Sequence, residues 1–238
     1  MGIDILDNMM FKFRIFINLN AISLAICAIA LFLLSSCAST RYESYPESKY
    51  IIASWYGTDF HGKPTSSGEP FNMYARTCAH KEYPFGTKLR VMNTENSKVV
   101  ECTVNDRGPF VAGRDLDLSY ACAKEIELIG TGTGKVRIDY LGRDNRYIKY
   151  IKYFPTSSNG PFTIQVGSFK EQPNATRLKA ALEFKYDRVY IIEAEIDGNT
   201  YFRVRIGKFY SKDEANSLAK ILADEGYNIL ITQYDEKI

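Results

Sequence analysis

The feature that most constrains this chain is an internal repeat with an offset of 40 residues in its C-terminal third. Val166-Gly167-Ser168-Phe169 is echoed by Ile206-Gly207-Lys208-Phe209, and Ala175, Leu178 and Leu182 by Ala215, Leu218 and Leu222. Self-similarity at a fixed spacing means one supersecondary unit used twice. Each copy reads as a strand, a tight turn and an amphipathic helix with apolar residues at i, i+3 and i+7. Ser211 with Glu214 forms a capping box for the second helix, and Gly226 suits its C-terminal end. With further strands near 189–194 and 227–232 the order is βαββαβ, a ferredoxin-like α+β arrangement. It predicts a four-stranded sheet with both helices on one face and the other face free for a ligand.

Upstream, the pattern changes to period two. Leu89 and Val91 alternate with Lys88 and Arg90; Val100, Cys102 and Val104 with Glu101 and Thr103; Val136, Ile138 and Tyr140 with Arg137 and Asp139. Such alternation puts one side of a strand in a core and the other toward solvent. A turn at 94–97 separates two of these strands. One helix is expected from the N-cap Ser119 to Gly130, with Cys122, Ile126 and Ile129 on one face. Many short strands and little helix predict a small closed or half-closed barrel over residues 50–142. Residues 143–160 read as a linker, within which 148–154 alternates lysine with apolar residues and fits a strand or a sticky connection. Residues 161–238 hold the repeat. For 238 residues, two small domains are an ordinary division. The formal charge of +2 gives no electrostatic footprint for nucleic acid.

The N-terminus points to export. Lys12 and Arg14 precede an apolar run at 21–34, too short to span a bilayer, followed by Ser35, Ser36 and Cys37. Asp4 and Asp7 lie upstream of the basic residues, so translation starting at Met9 or Met10 is the alternative. Leu34-Ser35-Ser36-Cys37 resembles a bacterial lipobox, which implies a signal peptide over 1–36, lipidation of Cys37 and a tether over 37–49. Ala38 follows with no Asp to retain the chain in an inner membrane, so the expected location is the outer membrane, facing the periplasm. Cys78, Cys102 and Cys122 allow one disulfide and a spare thiol, or none; small buried hydrophobes are the better account. No spacing suggests a zinc site, and neither metal nor cofactor is expected.

Chemistry concentrates in four stretches: Ala53-Ser54-Trp55-Tyr56-Gly57, Gly68-Glu69-Pro70-Phe71-Asn72-Met73, Ala79-His80-Lys81 and Asn105-Asp106-Arg107-Gly108-Pro109-Phe110. Glu69, His80 and Asp106 lie among turn residues, where loops expose side chains. With Gly113-Arg114-Asp115-Leu116-Asp117-Leu118-Ser119, these stretches resemble the double-psi β-barrel of the rare lipoprotein A family. Residues 161–235 resemble a SPOR domain. The resemblance implies a lytic transglycosylase of peptidoglycan that cleaves between N-acetylmuramic acid and N-acetylglucosamine and leaves 1,6-anhydro ends. It implies Asp106 as the acid, with His80 orienting it or sharing its proton. Glu69, Asn72 and Arg107 would contact the sugar, and Gln165, Ser168, Tyr201 and Arg203 would grip glycan lacking stem peptides. His61 reads as structural, and Asp115 and Asp117 with Arg114 as supports of the barrel. Asn72 stands where the family pattern has an Asp, an amide that cannot titrate. That departure keeps two other readings open: a non-catalytic peptidoglycan-binding lipoprotein, and an expansin-like protein that loosens polymers without cutting them. No protein partner is legible.

Overall fold

The computed structural model describes residues 48–154 and 160–234. The signal peptide, Cys37 and most of the tether lie outside the described residues. Strands β1 (Ser48–Trp55), β2 (Thr77–His80), β3 (Thr87–Asn93), β4 (Val99–Asp106), β5 (Leu116–Leu118) and β6 (Thr133–Arg143) close into a barrel in the order β1-β5-β2-β4-β3-β6. β1 pairs with β5, and β2 with β4, in parallel; the remaining pairs are antiparallel. Ser48 and Lys49, read from sequence as tether, already pair with Asp139 and Ile138 in β1.

The period-two pattern explains the barrel's filling. Leu89, Val91, Val100, Cys102, Val104, Val136 and Ile138 point inward and are buried, while Lys88, Arg90 and Glu101 face solvent. Cys78 on β2 and Cys102 on β4 form a disulfide with Cα atoms 6.0 Å apart. Cys122 is a buried free thiol whose pKa is pushed up by burial to about 11. This corrects the expectation of three unbridged cysteines. Cys78 pairs across the ladder with Val104, which places Cys102 diagonally beside it on the same face. That neighbourhood arises from a parallel pairing that linear spacing does not reveal.

Helix α1 (Tyr120–Glu125) begins as expected, with the Ser119 hydroxyl accepting from the Cys122 amide at 3.3 Å. It ends earlier than the apolar spacing suggests. Glu127 takes a positive φ of 57°, and the Leu128 amide returns to the Ala123 carbonyl at 2.8 Å. Leu128 is thereby sunk into the core, 1% exposed, and its packing overrides the helical stripe that would have continued to Ile129 and Gly130.

The C-terminal part is a five-stranded sheet in the order β7-β11-β8-β10-β9. Its strands are β7 (Ile151–Tyr153), β8 (Phe162–Phe169), β9 (Val189–Ile196), β10 (Asn199–Phe209) and β11 (Ile229–Gln233). Helices α2 (Gln172–Glu183) and α3 (Lys212–Glu225) follow β8 and β10. The fifth strand corrects the expected four. The lysine-alternating stretch resolves as β7, parallel to β11, so part of the linker is sheet. The repeat has a packing cause. Gly207, at φ 73°, lies under the Phe209 ring, where a side-chain carbon would collide; one on Gly167 would lie 2.7 Å from the Phe169 ring. The Ser211 hydroxyl caps the Glu214 amide at 3.1 Å, and Gly226 ends α3 in the left-handed region at φ 100°.

Barrel and sheet belong to one compact unit, Tyr45–Ile238. The barrel meets the sheet module at the end of α3, and Arg177 of α2 also reaches it. The Phe85 amide donates to the Glu225 carbonyl at 2.9 Å, the Lys149 amide to that of Ala223 at 3.1 Å, and the rings of Phe85 and Tyr227 meet edge to face at 4.9 Å.

Candidate active site

Asp106 is the last residue of β4, where the β2 register slips and Ala79 comes opposite it. It lines a cleft of about 320 Å³ whose walls include Trp55, Tyr56, Phe71, Phe110 and Asp117 from the barrel, and Arg177 from α2. Aromatic walls joined by convergent charged residues, here Asp106, Asp117, Arg114 and Arg177, suit a polar ligand with apolar faces. Only 7% of Asp106 is exposed. Its Oδ1 accepts from the backbone amides of Ser66 and Arg107, each at 2.8 Å, and the Ser66 hydroxyl bonds it as well. Burial raises its pKa above the usual carboxylate value, and those hydrogen bonds and the Arg177 charge only partly oppose this. The site therefore holds a carboxyl group biased toward its neutral form, with donors already aimed at the carboxylate that proton loss would create.

Arg107 is directed away from the cleft mouth. Its Nε donates to the Tyr227 hydroxyl at 2.7 Å and its Nη1 to the Tyr83 carbonyl at 2.8 Å, and its guanidinium lies 3.9 Å from the Phe85 ring centre. It fixes the loop after Asp106 against the second module. Burial, with the Arg107, Lys49 and Lys81 charges, lowers the pKa of His80 to about 3. Its Nδ1 accepts from the amides of Glu82 at 3.1 Å and Tyr83 at 3.1 Å, so the ring is neutral and its Nε2 carries the hydrogen. Among the described residues no hydrogen bond joins His80 to Asp106; His80 instead shapes the turn whose Tyr83 carbonyl receives Arg107. Glu69 accepts through Oε2 from the Asn105 side-chain amide at 3.0 Å and from the Tyr147 hydroxyl at 3.0 Å. It braces the residue before Asp106 and does not line the cleft.

Asn72 is exposed, its Oδ1 accepting from the Tyr74 amide at 3.0 Å in a local turn that an Asp would close equally well. His61 Nδ1 accepts from the Met73 amide at 3.3 Å. Asp117 is held by the Ser54 hydroxyl and by Arg114 at 2.9 Å, and Asp115 accepts from the Ile52 amide at 3.2 Å. In the second module Ser168 stands opposite Arg203 and Gln165 opposite Arg205, with Tyr201 on the same face of β10 as Arg203. Gln165 and Ser168 also line a second cavity, of about 290 Å³, whose far wall carries Ser66 and Gly68 of the barrel. Sequence reasoning did not single out Ser66, Arg177 or Tyr227. Ser66 lies just ahead of one of the stretches above, whereas the other two reach the barrel from far along the chain, where no local signal marks them. Among the described residues no group of three His, Cys, Asp or Glu side chains is placed to hold a metal ion.

Comparison with known proteins agrees with this division of the chain. Residues 49–138 match the family described as lytic transglycolase, and residues 158–232 match the SPOR domain. The chain is 38% identical over 186 residues to the endolytic peptidoglycan transglycosylase RlpA of Campylobacter jejuni, covering 71% of this chain and 66% of that protein. It is 36% identical over 188 residues to the protein of the same name from Helicobacter pylori, covering 71% and 59%. A Vibrio cholerae relative of that name is 37% identical over 178 residues, covering 74% and 65%. The chain thus spans 59 to 66% of the length of these relatives.

Proposed function

The chain belongs to the rare lipoprotein A family, and from that membership we propose that it is an endolytic peptidoglycan transglycosylase with Asp106 as its acid. The observation that carries this reading is the neutral-leaning carboxyl group of Asp106 in an aromatic cleft. In the first step Asp106 protonates the glycosidic oxygen between N-acetylmuramic acid and N-acetylglucosamine as the anomeric bond lengthens. The amides of Ser66 and Arg107 hold the carboxylate left behind. The 6-hydroxyl of the same muramic ring then attacks its own anomeric carbon and returns a proton to Asp106, closing the 1,6-anhydro ring. An intramolecular nucleophile needs no second carboxylate to activate water, and its effective concentration is high. His80, neutral and turned into its own loop, serves as a positioning residue, and Glu69 braces Asn105.

The sheet module supplies the grip on peptide-free glycan through Gln165, Ser168, Tyr201 and Arg203, and lipid on Cys37 ties the chain to the outer membrane from the periplasmic side. Asn72 does not weaken the enzymatic reading against a purely binding role, since it caps an exposed turn outside the cleft. The test is incubation with purified peptide-free glycan strands followed by mass spectrometry. Anhydro ends that vanish with Asp106→Asn are expected. Reducing ends would overturn the mechanism, and pelleting with glycan without any product would leave only the binder.

A further inference from the structure

Three arginines border the cleft, and the guanidinium groups of two of them are held by other partners. Arg107 donates to Tyr227 and Tyr83, and Arg114 to Asp117. Arg177, half-buried on α2, lies 5.0 Å from the ring centre of Phe60, itself part of the cleft wall. Among the described residues no hydrogen bond and no close ion pair holds it, and its charge acts on Asp106 across the cleft. A partly desolvated cation without a directly bonded counter-ion is costly, and this one also opposes the raised pKa of Asp106. An anionic group brought into the cleft would offset that cost with a direct partner.

A wall glycan offers one such group. The lactyl ether on the muramic ring ends in a carboxylate, and it hangs from the same ring whose anomeric bond is cut. Where a stem peptide is attached, that carboxyl is an amide and bears no charge. A guanidinium beside an aromatic ring keeps its paired N–H groups available in the geometry a carboxylate accepts. Resting on the transglycosylase reading, we propose that Arg177 is a specificity-determining residue that pairs with the free lactyl carboxylate of the muramic ring in the cleft. The cutting site then selects peptide-free strands itself, with a residue supplied by the C-terminal module.

The chain's single tryptophan, Trp55, lines this cleft and reports its occupancy separately from binding on the sheet. The probe is a tetrasaccharide of alternating N-acetylglucosamine and N-acetylmuramic acid, prepared with free lactyl carboxylates or with lactyl carboxamides. It is titrated by Trp55 fluorescence into the full chain carrying Asp106→Asn, which holds ligand without turnover. The carboxylate form is expected to bind roughly tenfold more tightly, as fits one charge-assisted pair. Arg177→Ala and Arg177→Gln should erase that preference, and Arg177→Lys should keep part of it. A preference that survives in both neutral variants, or an equal weakening of both ligand forms, would overturn the proposal; the second result marks a structural role. If the unsubstituted chain makes no anhydro ends while the Arg177-dependent preference persists, the enzymatic reading fails and the carboxylate pairing stands.

Discussion

Replacing His80 with asparagine isolates the pH-linked stability that this imidazole contributes. The ring is 6% exposed, and its Nδ1 is occupied by the amides of Glu82 and Tyr83. Burial first, then the Arg107, Lys49 and Lys81 charges, take its pKa from 6.5 to about 3. A depressed histidine pKa means that the unfolded chain takes up the proton before the folded one does. Stability is therefore complete above 6.5 and is lost as pH falls through the window down to about 3. With one pKa unit worth about 1.4 kcal/mol, the loss between pH 7 and pH 5 comes to about 2 kcal/mol. In His80→Asn the side-chain amide keeps an acceptor oxygen near the Nδ1 position and cannot titrate, so this part of the acid sensitivity disappears. Urea unfolding of the full chain and the variant at both pH values, at one ionic strength, reads the difference. Acid also acts on the carboxylates of Asp139 and Asp144, whose pKa values are lowered, but they are common to both chains and cancel. Equal losses in the two chains between pH 7 and pH 5 would refute the reasoning, because they would mean an imidazole that is hydrated or already protonated in the fold.

Asp106 has the opposite sign. Its raised pKa gives stability that is full below about 3.8 and lost as pH rises through the folded-state value, so at neutral pH the buried carboxyl is a burden. Asp106→Asn should therefore melt higher than the unsubstituted chain at pH 7 by a margin that shrinks at pH 4, while making no anhydro product; a constant margin in calorimetry refutes the assignment. Breaking the Cys78–Cys102 bridge, which spans a sequence separation of 24, should cost about 3 kcal/mol by loop entropy. A Cys78→Ala, Cys102→Ala double variant should accordingly show a urea midpoint well below that of the parent. An unchanged midpoint would mean that the barrel's closure already supplies the restraint.

Periodicity is a local signal, and what it could reach was legible. The inward sets on β3, β4 and β6 follow from alternation alone, and the paired glycine-to-phenylalanine spacing predicted two like units before any coordinates. What sequence left open was pairing at a distance. The Cys78–Cys102 bridge needs β2 beside β4 in parallel, and β7 becomes a strand only because β11 offers it a free edge. Helix α1 stops short because sinking Leu128 gains more than another helical turn. In the site, Asp106 was marked by its motif, whereas Arg177 looks like any solvent-facing helix residue. Tyr227 meets Arg107 from 120 positions away, a separation at which no spacing rule operates.

The seam between barrel and sheet changes what trimming the chain does. Deleting the sheet module removes the Tyr227 phenol and leaves the Arg107 guanidinium, next to Asp106 in sequence, with one of its acceptors gone. Losing that acceptor frees the loop after Asp106 from its anchor on the second module. A truncated barrel therefore carries its damage next to Asp106, and a loss of the proposed activity in it would report a disturbed cleft as well as the missing sheet module. The proposed binding and cleavage are separated more cleanly by point changes at Gln165, Ser168, Tyr201 and Arg203 than by a cut at the linker.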